Sequence, residues 1–258
     1  MAGEDISPES LTGRLDTRFI GQKVIYFPKL PSTMDVARRE ARQGAAEGTV
    51  IIADEQPSGR GRIGRVWLSP PGNITFSVIL YPDVSNLPYL MMIASLAVVR
   101  SIENVTRLKA GIKWPNDILI DGKKVCGILI ENEISGEKTT RAIIGIGINI
   151  NIGGMDVKGS LVPVTSLEKE IRHTVIKTDL INNLLVEMEK LYLRLADGES
   201  IYREWRERLV TLGKEVVVIA GDETLKGLAE STDSTGALIL KLDDGSTTRI
   251  VAGDVSLR

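Results

Sequence analysis

Gly59-Arg60-Gly61-Arg62-Ile63-Gly64-Arg65 places three glycines and three arginines in seven residues, and Val66-Trp67 follows. Glycine tolerates positive φ and close backbone approach, so the spacing predicts a mobile loop. Guanidinium groups are planar, permanently charged forks that suit phosphate or carboxylate oxygens. A segment that must wrap an anion is expected to combine the two. The string also satisfies G-x-G-x-x-G, but Ser69-Pro70-Pro71-Gly72 downstream cannot open the helix a dinucleotide site needs. It satisfies the kinase pattern G-x-G-x-x-G-x-V as well, yet the chain contains neither His-Arg-Asp nor Asp-Phe-Gly. On these residues alone, a solvated basic loop stays open as the alternative.

Three further blocks carry chemistry. Ser32-Thr33-Met34-Asp35 has capping-box spacing and opens a helix predicted to run to about Gln43, with Gly44 as its stop. Such a helix start offers free N–H groups and hydroxyls to a polar ligand head. Lys113-Trp114-Pro115-Asn116-Asp117 puts a lysine in a segment that the proline keeps extended. Lys113 is a candidate for a triphosphate contact or for an internal ion pair with Asp117. In Asp121-Gly122-Lys123-Lys124-Val125-Cys126-Gly127 the two lysines are strand neighbours, so only one can face a pocket. Gly145 and Gly147, in Gly145-Ile146-Gly147-Ile148-Asn149, weaken a strand unless a ligand or a packed helix passes close.

In this order, and with the arginine segment, these blocks resemble a biotin–protein ligase (biotin–[acetyl-CoA-carboxylase] ligase), from about Gly21 to the C-terminus. The resemblance implies a reaction: biotin and ATP form biotinyl-5′-AMP and pyrophosphate, and the acyl group passes to a lysine of a biotin carboxyl carrier protein. It implies that Ser32 and Thr33 contact the biotin ureido ring, with Met34 and the Gln56 amide in the same site. Gly59, Arg60, Gly61 and Arg62 match the loop that closes over the adenylate, and Arg65 is placed to reach phosphate. Lys124 matches the lysine that holds the biotin carboxylate and the adenylate ester oxygen together. Asp117 is assigned to the acceptor step, accepting or orienting the incoming lysine's proton, with a metal role as the alternative. Trp67 either stacks on adenine or anchors the loop to the core. Asn149 is expected on adenine or ribose, with Gly147 leaving it room. Cys126 and Gly127 fall in the biotin pocket wall, the cysteine as a small hydrophobe. Mg²⁺ is expected to accompany ATP, and its protein ligands are not legible.

The positioning elements follow from periodicity. Val24–Phe27, Thr49–Asp54, Asn73–Leu80, Ile118–Ile120, Val125–Glu133 and Ala142–Asn151 read as strands, with Asp121-Gly122 as a hairpin turn. Ser7–Leu15, Leu87–Val105, Ser166–His173, Thr178–Leu195 and Ser200–Leu209 read as helices. From Lys214 the pattern changes to four short strands, Val216–Ile219, Thr224–Ala229, Ala237–Lys241 and Thr247–Val251. The fold class expected is α/β (α+β). It comprises a mixed-sheet catalytic domain of the biotin/lipoate ligase type, related to class II aminoacyl-tRNA synthetases, and a small C-terminal Src-homology-3-like barrel. The domains are placed at 1–211 (core about 21–211) and 212–258.

Composition narrows the class. Of 258 residues, 43% are hydrophobic and 26% charged, an ordinary globular balance. A formal net charge of −2 argues against general nucleic-acid binding. A single cysteine, Cys126, excludes an internal disulfide and fits a reducing compartment, and the polar start shows no secretory h-region. The single histidine, His173, excludes histidine-rich metal sites and is expected on a helix surface. A cytoplasmic enzyme is expected, without membrane or DNA partners. The 31 residues before Ser32 are too few for the helix-turn-helix module of the repressor-type relatives. The resemblance further implies a homodimer paired through sheet edges. A lipoate–protein ligase of the same fold and a non-enzymatic biotin-sensing regulator are the competing readings.

Overall fold

Val50-Ile51-Ile52-Ala53 is apolar on both faces, which suits a strand covered from both sides. It begins β2 (Val50–Arg60), inside an eight-stranded mixed sheet of the computed structural model. That model describes residues 6, 8–13, 15–135, 138–153, 162–221 and 223–257. β1 (Val24–Lys29) pairs parallel with β2, and the remaining pairs are antiparallel. After β4 (Ile74–Leu80), β5 (Gly111–Lys113), β6 (Asp117–Ile120), β7 (Lys123–Ser135) and β8 (Lys138–Ile148), the order is β1-β2-β4-β8-β7-β6-β5. The hairpin β6–β7 turns at Asp121-Gly122 as expected, both with positive φ.

Two departures concern the arginine segment. β2 continues through Gly59 and Arg60, which pair with β3 (Val66–Ser69), a strand not foreseen. Only Gly61–Arg65 is left as the loop, built around a 3-10 turn at Arg62–Gly64.

One sheet face carries α2 (Thr33–Arg42), whose Met34, Ala37 and Ala41 pack on Ile51, Ile79 and Ile143. The other face carries α3 (Leu87–Thr106), with α5 (Lys177–Tyr192) and α6 (Gly198–Glu207) packed against it. The stretch Val84–Thr106 is long and apolar enough to cross a membrane, but 61% of its apolar 18-residue window is buried in the protein, as befits a core helix. α1 (Pro8–Thr12) is shorter than expected, and Ser7, where the expected helix begins, lies outside the described residues. α4 (Leu167–Ile171) ends early, so His173 sits exposed just beyond it rather than on a helix face.

Helix α5 also fastens the N-terminal segment. Buried Glu189 accepts the backbone N–H groups of Arg18, Phe19 and Ile20 at 2.6, 2.9 and 2.9 Å. Charge-assisted bonds to buried donors are the strong kind. Glu189→Gln, with its remaining carbonyl, is expected to lower stability by about 2 kcal/mol. An unchanged urea midpoint at constant slope would remove Glu189 as the anchor.

The second sheet is β9 (Glu215–Ala220), β10 (Glu223–Thr232), β11 (Leu238–Lys241), β12 (Thr247–Ile250) and β13 (Asp254–Leu257), ordered β12-β11-β10-β9-β13. The sequence reading stopped at four strands. β13 was missed because Asp254-Val255-Ser256-Leu257 is too short to show a period by itself. The two sheets are tied where it matters. Trp114 donates its backbone N–H to Thr211 Oγ1 at 2.8 Å and its indole N–H to the Gly236 carbonyl at 2.9 Å.

Candidate functional site

Met34 on its buried face draws the N-terminus of α2 onto the sheet, and the first turn then meets β2 and β4. The Thr33 N–H donates to Gln56 Oε1 at 2.6 Å, and Ser77 Oγ donates to Thr33 Oγ1 at 2.8 Å. Ser32 occupies the cap position with extended backbone, but its hydroxyl makes no capping bond. The expected capping box is therefore not formed. The Ser32 hydroxyl is buried and without a hydrogen-bond partner among the described residues. A buried, unpaired hydroxyl costs about 1–3 kcal/mol unless something binds it. It lines a cavity of about 560 Å³.

The loop arginines reach the same cavity from one side. Ile63 and Gly64 both have positive φ, 52° and 69°, which turns the chain sharply and sends Arg62 and Arg65 toward the second sheet. Arg62 donates to Asn116 Oδ1 at 3.0 Å and to the Gly253 carbonyl at 3.1 Å, with Asp254 at 3.8 Å. Arg65 pairs closely with Asp254, and Arg60 pairs with Asp35 at 2.7 Å and Glu131 at 3.3 Å. Each loop arginine already has an acceptor. Burial lowers the Arg62 guanidinium from its ordinary range, against the pull of Asp254 and Asp117.

Across the cavity, strand alternation separates the neighbouring lysines. Lys123 points outward to Glu170 at 2.6 Å, and Lys124 points inward to Asp117 Oδ1 at 2.5 Å. Lys113, only 3% exposed, approaches the other Asp117 oxygen at 3.6 Å. One carboxylate thus sits between two ammonium groups. Burial pushes the Lys113 ammonium below the usual lysine range, with Asp117 opposing. Cys126 is fully buried, and burial drives its thiol far up, out of reach of nucleophilic use.

The glycines have separate structural reasons. A Cβ at Gly145 would lie 2.5 Å from the Met34 sulfur, so this glycine serves the packing of α2 on the sheet. A Cβ at Gly147 would lie 2.4 Å from the Trp67 indole nitrogen, and one at Gly127 2.9 Å from the same ring. The indole therefore rests on a shelf of two glycines, with the Lys124 ammonium 5.4 Å from its centroid. Of the two expectations for Trp67, anchoring the segment is the one this arrangement displays. Gly147→Ala should displace the indole and cost about 1–2 kcal/mol through overpacking. An unaltered thermal midpoint and Trp67 environment by fluorescence would count against the shelf. Asn149 is buried at the end of β8, where its amide donates to the Thr165 carbonyl at 3.1 Å. That bond uses one of its two amide protons, and Asn149 still lines the cavity.

The expected site residues line this one cavity except Gly59, whose place is explained by crowding against Gln56 and the Trp67 carbonyl, and Cys126, which is buried in the core and does not reach the expected pocket wall. Asn116, Asp254 and Val255 also line it and were not singled out. Asn116 was legible in its pentapeptide. Asp254 was not, since only the docking of β13 brings it to Arg62 and Arg65. Five cationic side chains and two carboxylates face the cavity, which favours an anionic ligand. Both carboxylates are taken by cations, and no cluster of three or more His, Cys, Asp or Glu suited to a metal occurs among the described residues. The side chains here do not form a metal site of their own.

Comparison with known proteins finds family matches in both parts of the chain. The biotin/lipoate A/B protein ligase family matches residues 26–149, and the biotin protein ligase C-terminal domain matches residues 211–258. The bifunctional ligase/repressor BirA of Bacillus subtilis is 35% identical over 258 residues, covering 98% of this chain and 79% of that one. The biotin–[acetyl-CoA-carboxylase] ligase of Paracoccus denitrificans is 31% identical, covering 77% and 86%. The biotin protein ligase from Aquifex aeolicus, solved in complex with biotin and ATP, superposes with a TM-score of 0.77 at 27% identity, covering 92% and 99%.

Proposed function

This chain belongs to the biotin protein ligase family, and on that premise we propose that it activates biotin as biotinyl-5′-AMP and transfers it to a carrier lysine. The observation that carries the reading is the composition of one cavity. Neutral hydrogen-bonding groups of Ser32, Thr33 and Gln56 line part of it, and Lys113, Lys124 and Arg62 line another. Biotin has a polar ureido ring and a carboxylate, and the two sets of groups answer those two ends.

In the proposed first step, the biotin carboxylate attacks the α-phosphorus of ATP and pyrophosphate leaves. Two anions must meet, so fixed positive charge carries most of the rate. Lys124 bridges carboxylate and phosphate, Lys113 supports it from β5, and Arg62 and Arg65 close from the loop. Mg²⁺ would accompany ATP as its counter-ion, and the two carboxylates at the cavity, Asp117 and Asp254, each pair with a cation.

In the second step, the acceptor amine attacks the acyl carbon and AMP leaves. Asp117 receives or orients the proton of the incoming lysine. Asp117 is held by Lys124 at 2.5 Å on one oxygen and approached by Lys113 at 3.6 Å on the other. An adenylate that takes over Lys124 opens the first oxygen to the incoming amine, which orders the two steps. The acceptor is a biotin carboxyl carrier domain, the chain divides near Leu212, and the working form is a cytoplasmic homodimer. The test is pyrophosphate release from ATP with biotin and with lipoate, followed by label transfer to a carrier domain. Equal turnover with lipoate, or none with biotin, defeats the proposal.

A further inference from the structure

Arg62 lines a second, smaller cavity on its far side, of about 190 Å³. It lies between α3, the Trp114-Pro115 turn, α6 and the β10–β11 turn. Its walls are Met91, Met92, Trp114 and Trp205, and its rim carries Thr235 and Val251. The tie between the two sheets holds it open. Trp114 is pinned to Gly236, where φ is +84° and a Cβ would come within 3.1 Å of the Met92 methyl, so the turn packs closely on Met92.

One charged group at this cavity is incompletely satisfied. Arg62 donates at hydrogen-bond distance only to the neutral acceptors Asn116 and Gly253, and its nearest carboxylate oxygen stands at 3.8 Å. Trp205 is 1% exposed and turns the edge of its six-membered ring toward Gly236. A desolvated cation beside flat apolar walls defines a complementary ligand. It has a compact apolar or aromatic body and one carboxylate.

We propose that this cleft is a second binding site, which takes a small aromatic carboxylate with its ring among Met91, Met92, Trp114 and Trp205 and its carboxylate on Arg62. An occupant there competes with the main cavity for a loop cation, so the site is placed to regulate the first. Binding itself needs neither biotin nor ATP, and its outcome is independent of the ligase reading.

The probe is phenylacetate, titrated into the ligand-free chain and followed by tryptophan fluorescence and by saturation-transfer NMR. Two of the three tryptophans line the cleft. Saturable binding is expected with a Kd of about 1 mM, the range for so few atoms. Benzyl alcohol, the same ring without the charge, should bind at least about tenfold more weakly. Val251 is 69% exposed, so Val251→Glu is expected to fold normally while setting a competing carboxylate at the rim. Met91→Trp fills the space from half-buried α3. Each variant should weaken phenylacetate at least about tenfold. Absence of saturable binding overturns the site. Binding that both variants leave unchanged overturns it too, since the probe then lies in the main cavity.

Discussion

Lys124→Ala is expected to slow adenylate formation about a hundredfold, and Lys123→Ala less than about twofold. The two residues are adjacent and chemically identical, so the difference rests entirely on strand alternation. Lys123 leans outward and loses only a surface pair with Glu170, worth little in water. Lys124 is held in the cavity beside Asp117 and over the Trp67 ring. Its charge acts where a carboxylate and a phosphate must approach each other, a contact worth about 3 kcal/mol in the transition state. Asp117→Asn separates ground-state pairing from catalysis. It frees Lys124 from its partner, so adenylation should persist while transfer to the carrier lysine falls. Single-turnover pyrophosphate release and label transfer, measured separately, give both rates. Similar rates for the two lysine variants would show that the reactive face has been chosen wrongly.

The parts of this site that are local in sequence were legible, and the parts made by long-range docking were not. Strand alternation was enough to separate Lys123 from Lys124. The position of Ser32 at the start of α2 followed from its cap-like spacing, though not the fact that its hydroxyl stays unpaired. That fact depends on β2 and β4, whose Gln56 and Ser77 occupy the neighbouring Thr33 instead. Gly145 and Gly147 were read correctly as places of close approach. What approaches them was open, because Met34 and Trp67 arrive from elements far away in sequence. Asp254 shows the limit most plainly. Nothing in a four-residue C-terminal strand announces that it pairs with β9 and meets two arginines about 190 residues earlier. The expectation of a mobile loop takes no account of the arginines' counter-charges, for the same reason. Their counter-charges come from α2, β7 and β13 rather than from the loop.

That correction changes what the loop is expected to do. Arg62→Gly should raise the release rate of biotinyl-5′-AMP about a hundredfold while leaving biotin binding nearly intact. The variant loses the contacts to Asn116 and Gly253 as well as the proposed contact to the adenylate phosphate. Charge-assisted hydrogen bonds contribute about 1.5–3 kcal/mol each, so losing the one to phosphate and loosening the loop together reach about 3 kcal/mol. A third glycine among Gly61, Gly64 and position 62 also raises the entropy cost of closing the loop, by up to about 1 kcal/mol. The loop is tethered, since Asp254 holds Arg65 and stands 3.8 Å from Arg62. Trypsin should therefore cut slowly after Arg62 and Arg65 even without ligand, and more slowly still with biotinyl-5′-AMP. Asp254→Asn removes the anchoring charge and should speed cleavage in the empty protein while the adenylate still protects. The two variants thus separate the two anchors, one from the second sheet and one from the ligand. If adenylate release from Arg62→Gly matches wild type and cleavage is indifferent both to ligand and to Asp254→Asn, the loop is neither clasped by β13 nor closed by the adenylate.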